Sequence, residues 1–355
     1  GDLGADVIKI EPPRGDPFRR FGRPDGLMSA EFANVNRGKR SLVLDLKTTA
    51  GREHLLEVCG TADVLVSNWR PGVADRLGLS DDALAARNER LIRIYVSGYG
   101  STGPAANDPT YDSVIQARSS LSWIQGAGGT PTMVVGFLVD KVVAVMATQA
   151  ALAALVERER TGCGTRLDVP MLDAISYFDF PDLLARRTFT STTPDDPLNG
   201  LTASMRPIKA SDGWLLVCPV SATQVRQAFV AIEHPDWADA LLTARDRRPL
   251  AERVLDQLET VTRTGPASHW LERFRECDVP AGRFLDIDEH LEDDQVVACD
   301  LYDVADWPEL GPTRRVRYPA SSASWGLLFG QGPPPLLPES QSTPTASPVR
   351  IVGSS

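Results

Sequence analysis

The chain has 355 residues, 42% hydrophobic and 24% charged, enough to bury a sizeable core and divide into two domains; disorder and a small stapled scaffold are excluded. Thirty-seven basic residues against 47 acidic ones leave a net charge of −10, which argues against generic binding to nucleic acid or anionic membrane, so a polyanionic ligand needs a local basic patch. Cys59, Cys163, Cys218, Cys277 and Cys299 form no CxxC pair, and His54, His234, His269 and His290 lack metal-ligand spacing; no zinc site or disulfide framework is expected, and a reducing cytoplasm fits.

Four runs of branched aliphatics, Val7 to Ile10, Ser41 to Leu46, Asp63 to Val66 and Leu91 to Ser97, read as strands. Helical stretches such as Ala50 to Cys59 and Asp81 to Asn88 separate them. Alternation of this kind implies right-handed crossovers and a Rossmann-like parallel sheet, so the fold class is α/β. The most apolar stretch, Met133 to Val156, carries Asp140 and Lys141, and its longest uncharged run is too short for a bilayer; it reads as a buried helix ending at Gly162. After a composition break at STTPDDPLNG come a strand-like GWLLVCPV and helical segments at Gln224 to Ile232, Leu250 to Arg263 and His269 to Cys277. The expected domains are therefore 1–200, a large Rossmann-like domain; 201–310, a smaller α+β domain; 311–330, a return to the large one; and 331–355, a Pro/Ser-rich tail, extended or mobile. Six carboxylates within Asp286 to Asp294 read as a solvated face.

Gly98, Gly100 and Gly103 in SGYGSTG match GxGxxG after a strand, but Pro104 and AANDP continue as a loop where a nicotinamide fingerprint needs a helix N-terminus. The loop can still line a site, because strand C-termini in open α/β sheets face the binding crevice. Asp140 reads as the N-cap of the long helix. Capping is the commoner reason for an Asp at such a place. A lone acid after MVVGFLV, at a helix end whose dipole favours ionisation, also has what nucleophilic attack on an acyl group requires. Between Arg14 and Lys47 eight basic residues face four acids, either a solvated segment or a landing site for phosphates.

The segments DLGADVIKIEPPRGD, VNRGKRSLVLDLKTTAGR, DVLVSNWRPGVADRLGL, SGYGSTGP, YDSVIQA and Asp140 ahead of ALAALVERERTGCGTRLDVPMLDA follow one another in an order that resembles the class III CoA-transferases, a family that includes formyl-CoA and carnitine CoA-transferases and is related to α-methylacyl-CoA racemase. The likeness is strong from Gly1 to about Asp173 and continues more weakly through Asp278 to Ala298. It implies transfer of CoA from an acyl-CoA to a free carboxylic acid through a mixed anhydride on Asp140, with the CoA thioester as substrate and no permanently bound cofactor or metal. It also implies CoA contacts from Leu44, Lys47, Asn68, Trp69, Val73 and Arg76, a substrate loop with Gly98, Gly100 and Tyr111, and an interlocked homodimer; the acidic charge balance already argues against nucleic-acid or membrane partners.

The chain departs from the family pattern at several places. Pro12 stands where some members carry a CoA-binding arginine, Ala144 replaces a glycine, Cys163 and Thr165 replace Arg and Gln, and GPPPLLPES lacks the usual GEHT. The family's first strand and helix, about thirty residues as one unit, have no counterpart ahead of GDLGADV, so the sheet is expected to lack a central strand and to expose two unpaired edges. Rival readings are an acyl-CoA racemase, a degenerate CoA-binding paralogue and a nicotinamide oxidoreductase weakened by Pro104. The racemase branch places a histidine where Tyr111 stands, and a tyrosine with a pKa of about 10 is a poor neutral-pH base, so transfer is preferred.

Overall fold

The structure, a computed structural model, describes residues 1–22, 28–126, 129–184, 187–190, 205–243, 250–320, 332–337 and 350–354. Arg23 of the basic segment, residues 127 and 128 of the loop before Pro131 and the composition break at 191–200 lie outside these. The chain forms two compact units, residues 1–126, 130–181 and 295–355 in one and 127–129 with 182–294 in the other. Against the expected boundaries, the described part of 295–310 groups with the first unit.

The first unit begins with β1 (Asp6–Glu11), a short 3-10 turn (Pro17–Arg20), α1 (Ala30–Asn36), β2 (Arg40–Val43), α2 (Thr49–Cys59) and β3 (Val64–Ser67). There follow α3 (Val73–Arg76), α4 (Asp81–Arg87), β4 (Ile92–Ser97), α5 (Asp112–Arg118), α6 (Leu121–Gln125), α7 (Leu138–Thr161), β5 (Arg166–Pro170) and α8 (Met171–Leu183). Local chemistry sets several of the boundaries. The Thr48 and Ser80 hydroxyls accept the Gly51 and Ala83 N–H groups to cap α2 and α4, Asp81 and Asp82 complement the start of α4, and Gly162 at φ +78° ends α7.

The four predicted strands are β1 to β4, and all run parallel in a six-stranded sheet of order β2-β1-β11-β3-β4-β5. The central slot is not vacant. Strand β11 (Arg350–Ser354), from the tail read as extended or mobile, lies between β1 and β3 with Ile351 opposite Val7 on one side and Val64 on the other. Its pairing satisfies both backbone edges whose exposure was expected. The tail is tied down again at Pro334 and Pro335, which are buried, the latter accepting a hydrogen bond from the Arg19 guanidinium at 2.8 Å.

Helices cover the sheet with its branched side chains. Ile8, Ile10, Leu42 and Leu65 pack with Leu55, Leu79 and Leu84, while Val64, Ile92 and Ile94 pack with Ala147, Ala151 and Ala154 of α7. By length and composition the unbroken 24-residue α7 could span a bilayer, which the sequence reading of its uncharged run had excluded; one stripe of it is buried against the sheet. The buried Arg158 guanidinium pairs with Asp63 just before β3 at 2.8 Å and fixes the C-terminal end of α7 at the N-terminal edge of the sheet.

The second unit contains β6 (Ile208–Ala210), β7 (Gly213–Val217), α9 (Ala222–Ala231), α10 (Asp236–Thr243), α11 (Leu250–Thr262), α12 (Ala267–Glu276), β8 (Ala281–Arg283) and α13 (Ile287–Glu292). Its antiparallel sheet, β6-β7-β8, packs Ile208, Leu215 and Val217 on Phe229, Leu258 and Phe274. The acidic run is a largely exposed helix with a capping box between Asp286 and Glu289. Beyond it come α14 (Asp294–Ala298) and the antiparallel ribbon of β9 (Tyr302–Trp307) and β10 (Gly311–Val316).

Candidate active site

Because the six strands are parallel, everything that leaves their C-terminal ends emerges along one edge of the sheet. Leu44 and Lys47 follow β2, Asn68 and Trp69 follow β3, Val73 and Arg76 lie on α3 immediately after, and Gly98 and Gly100 follow β4. Lys47, Asn68 and Arg76 are exposed, and Trp69 and Val73 are half-buried. The Leu44 side chain continues the apolar face of β2 into the core, so only its backbone is left for a ligand. Trp69 borders a cleft of about 220 Å³ that also touches Arg70, Gly72, Tyr95, Ser97 and Arg166.

That cleft has a polar wall the sequence reading missed. Tyr95 donates to Asp81 at 2.9 Å, and Arg166 bridges Asp81 and Asp168 at 2.5 and 2.8 Å. Burial first, then the Asp81 carboxylate, drive the Tyr95 hydroxyl well above its ordinary range and keep it a donor. Alternating polar residues in IRIYVS and RLDVP were the available signal.

The glycine-rich loop is packed against its neighbours. A Cβ on Gly98 would lie 2.1 Å from the Thr110 methyl carbon, so a side chain there would force Thr110 to shift. Tyr111, at the N-cap of α5, is 81% exposed.

Part of the basic segment is engaged in ion pairs. Arg19, Arg37 and Arg40 are paired with Glu11, Asp2 and Asp6, acids supplied by β1 and the residues before it. Lys39 is largely withdrawn from water, while Arg14 and Arg20, which follow β1, and Lys47, which follows β2, are exposed.

Asp140 is not the N-cap. Helix α7 starts at Leu138 with Phe137 as cap residue and no side-chain cap bond, because Leu138 and Val139 already turn inward, which makes Asp140 the third helical residue. Its backbone N–H donates to the Asp112 carboxylate of α5 at 3.0 Å. Val139, Val142 and Val143 pack with Val96 and Val169 near the C-terminal ends of β4 and β5, which brings Asp140 to the same edge as the residues expected to contact CoA. Its carboxyl is raised above the usual aspartate range, by burial first and then by the Asp112 charge, with Lys141 opposing. The helix end alone would favour the ionised form; burial and Asp112 outweigh it.

The profile of CoA-transferase family III matches residues 1–339. This chain belongs to CoA-transferase family III. Relatives include the acetyl-CoA:oxalate CoA-transferase of Acetobacter aceti, 36% identical over 294 residues, which covers 81% of this chain and 76% of that protein. The formyl-CoA:oxalate CoA-transferase of Streptomyces coelicolor is 30% identical over 344 residues, covering 87% and 80%. A CAIB/BAIF family protein from Brucella suis superposes with a TM-score of 0.78 at 26% identity, covering 94% of this chain and 89% of that one. The class III CoA-transferase fold expected from the sequence is thereby confirmed, the enzyme is a CoA-transferase, and a CoA thioester is its substrate.

Proposed function

We propose that this CoA-transferase moves CoA from an acyl-CoA donor to a small free carboxylic acid through an anhydride on Asp140. The carrying observation is the Asp140 carboxylate itself, in the first turn of α7 at the binding edge of the sheet, with its proton affinity raised by burial and by Asp112. A more basic carboxylate is a stronger nucleophile once ionised. Its oxygen attacks the thioester carbonyl, the C–S bond breaks, and the electron pair leaves with CoA as thiolate. Acyl and aspartyl groups are then joined through one oxygen; the thiolate attacks the aspartyl carbonyl, which expels the donor acid as its carboxylate and leaves an aspartyl thioester. The acceptor carboxylate displaces thiolate from that thioester to form a second anhydride, and thiolate attack on its acceptor carbonyl releases the new acyl-CoA and the Asp140 carboxylate. Lys47 and Arg76 supply cations for the CoA phosphates, and Trp69 an aromatic face for adenine.

The test incubates the protein with a panel of acyl-CoAs and free acids, oxalate among them, and reads new CoA thioesters by mass spectrometry. Asp140→Asn is expected to lower transfer by roughly 10³-fold or more. A folded Asp140→Asn protein with near wild-type transfer overturns the assignment. Arg76→Ala and Lys47→Ala should each weaken CoA binding by about 1.5 to 3 kcal/mol, read by calorimetry; unchanged affinity in both removes them from the platform.

We further infer a homodimer. Tyr177, Phe178 and Phe180 of α8 and Val145, Leu152 and Val156 of α7 are exposed large apolar side chains, which a second copy would cover. Light scattering that gives a monomer mass at micromolar concentration would contradict it. The scattered free thiols accord with a cytoplasmic location.

A further inference from the structure

Two buried side chains beside Asp140 share a hydrogen-bond network. Gln116 is 1% exposed and Asp112 is 4% exposed, both on α5, four residues apart and therefore on one face. The Gln116 side-chain amide Nε2 donates to one Asp112 oxygen at 2.7 Å and to the Val134 and Gly136 carbonyls at 3.3 and 3.4 Å. Its oxygen accepts the Val134 N–H at 3.0 Å. The second Asp112 oxygen accepts the Asp140 N–H. One buried amide thus holds the loop before α7 and, through Asp112, the first turn of the helix. Phe137 makes no side-chain cap bond, so a carboxylate from another helix does this service for α7.

We propose that Gln116 and Asp112 form a positioning unit for the transfer reaction, a clamp that sets where the first turn of α7 presents the Asp140 carboxylate. The inference rests on Asp140 as nucleophile and adds the residues that aim it. Each oxygen of Asp112 is occupied by a different donor, and Gln116 uses both ends of its amide. The pair therefore has one satisfied arrangement, and a buried network of this kind is rigid only while every member is paired. An attacking oxygen needs such rigidity, since a misplacement of about 1 Å costs about a hundredfold in rate.

The charged groups acting on Asp140 are Asp112 on α5 and Lys141 on its own helix. Besides holding the backbone, Asp112 places a like charge beside the nucleophile. Removing that charge should lower the proton affinity of Asp140.

Gln116→Met keeps the volume and removes every hydrogen bond. We expect kcat to fall about a hundredfold with KM for the acyl-CoA within about threefold of wild type, because the CoA platform lies on other elements. Hydrogen exchange at the Val134 and Asp140 amides should quicken, while the amides of β1 to β3 stay slow. A folded Gln116→Met enzyme with wild-type kcat and unchanged exchange at both amides overturns the proposal, as does a loss confined to KM.

Asp112→Asn decides the matter if Gln116→Met does not fold. It removes the charge, so the acid limb of the kcat profile should move to lower pH; a limb that stays in place overturns the proposal. Failure of the underlying reading looks different. If Asp140→Asn still transfers CoA, the nucleophile assignment falls, whereas wild-type kcat in Gln116→Met beside a dead Asp140→Asn removes the clamp alone.

Discussion

Two acids in the first unit illustrate opposite uses of a carboxylate. Glu11, at the end of β1, is fully buried and surrounded by donors: Arg19 at 2.6 and 2.7 Å, the Asp16 N–H at 2.9 Å and the Ser41 hydroxyl at 2.7 Å. Burial alone would push its carboxyl up, but these partners together hold it below the usual glutamate range. Asp140, at the start of α7, is pushed up by burial first and then by the acid beside it, Asp112, with no hydrogen-bonded cation to reverse the shift among the described residues. The first carboxylate is satisfied and serves the fold. The second is left in a costlier state, which is the state that chemistry at an acyl carbon can use.

Breaking the satisfied pair should have the largest effect. Arg19→Met leaves a buried Glu11 charge uncompensated, and also removes the bond to Pro335 and the stacking on Phe32 at 4.1 Å. The expected loss is about 3 to 5 kcal/mol, read by chemical denaturation. The pH dependence should change sign as well. In wild type the depressed Glu11 contributes stability that is complete above its unfolded pKa and is lost as pH falls through the folded one. With Arg19 gone the Glu11 contribution should weaken as pH rises; a variant that follows the wild-type trend would show that Arg19 is not its principal partner.

Lys39 sharpens the contrast from the cationic side. Its ammonium donates to the Asn36 side chain at 3.0 Å, and no ion pair is found for it among the described residues. Burial, then the nearby Lys9 charge, lower it from the usual 10.5 to about 8. Between these values the unfolded chain holds more protons than the folded one, so stability should rise with pH across this window, the cost being complete below about 8. Lys39→Met is expected to be more stable than wild type by on the order of 2 kcal/mol at pH 7, an advantage that shrinks toward pH 10.5. Thermal melts with a constant offset at both pH values would contradict this.

How much of this is legible in the sequence depends on whether the cause is local. Strands β1 to β4 are short runs of branched aliphatics bounded by polar turns, and the binding edge follows from their alternation with helices. Strand β11 is not legible: RIVGS is brief and sits at the end of a Pro/Ser-rich tail, and only the empty slot between β1 and β3 gives it a place. The family motifs single out Asp140, yet its local context suggests a cap, because the true start of α7 depends on which face of Leu138 and Val139 meets the sheet. The Asp112–Gln116 spacing of four is visible, but the loop it grips lies 18 and 20 residues beyond Gln116, and nothing in the intervening chain announces the contact. The pairing of Arg19, Arg37 and Arg40 hides in the same way, since each acid partner comes from another element.

The smallest predicted effect concerns the stability of the site itself. Asp140 has a folded pKa above the unfolded value, so the folded state holds its proton more tightly and stability falls as pH rises from the unfolded pKa through the folded one. That loss is complete once the pH is above the folded pKa. Asp140→Asn keeps the shape and removes the charge facing Asp112, so it should be slightly more stable than wild type at pH 7.5 while losing transfer. More than a third of the side chain is open to solvent, which screens the repulsion, and the gain should stay under about 1 kcal/mol, a rise of about 2 to 4 °C in Tm at most. The difference between the two proteins should vanish below the unfolded aspartate pKa, where both are neutral at this position. A variant less stable than wild type at pH 7.5 would mean that the carboxylate is satisfied by its surroundings, as Glu11 is, and the contrast between the two acids would fail.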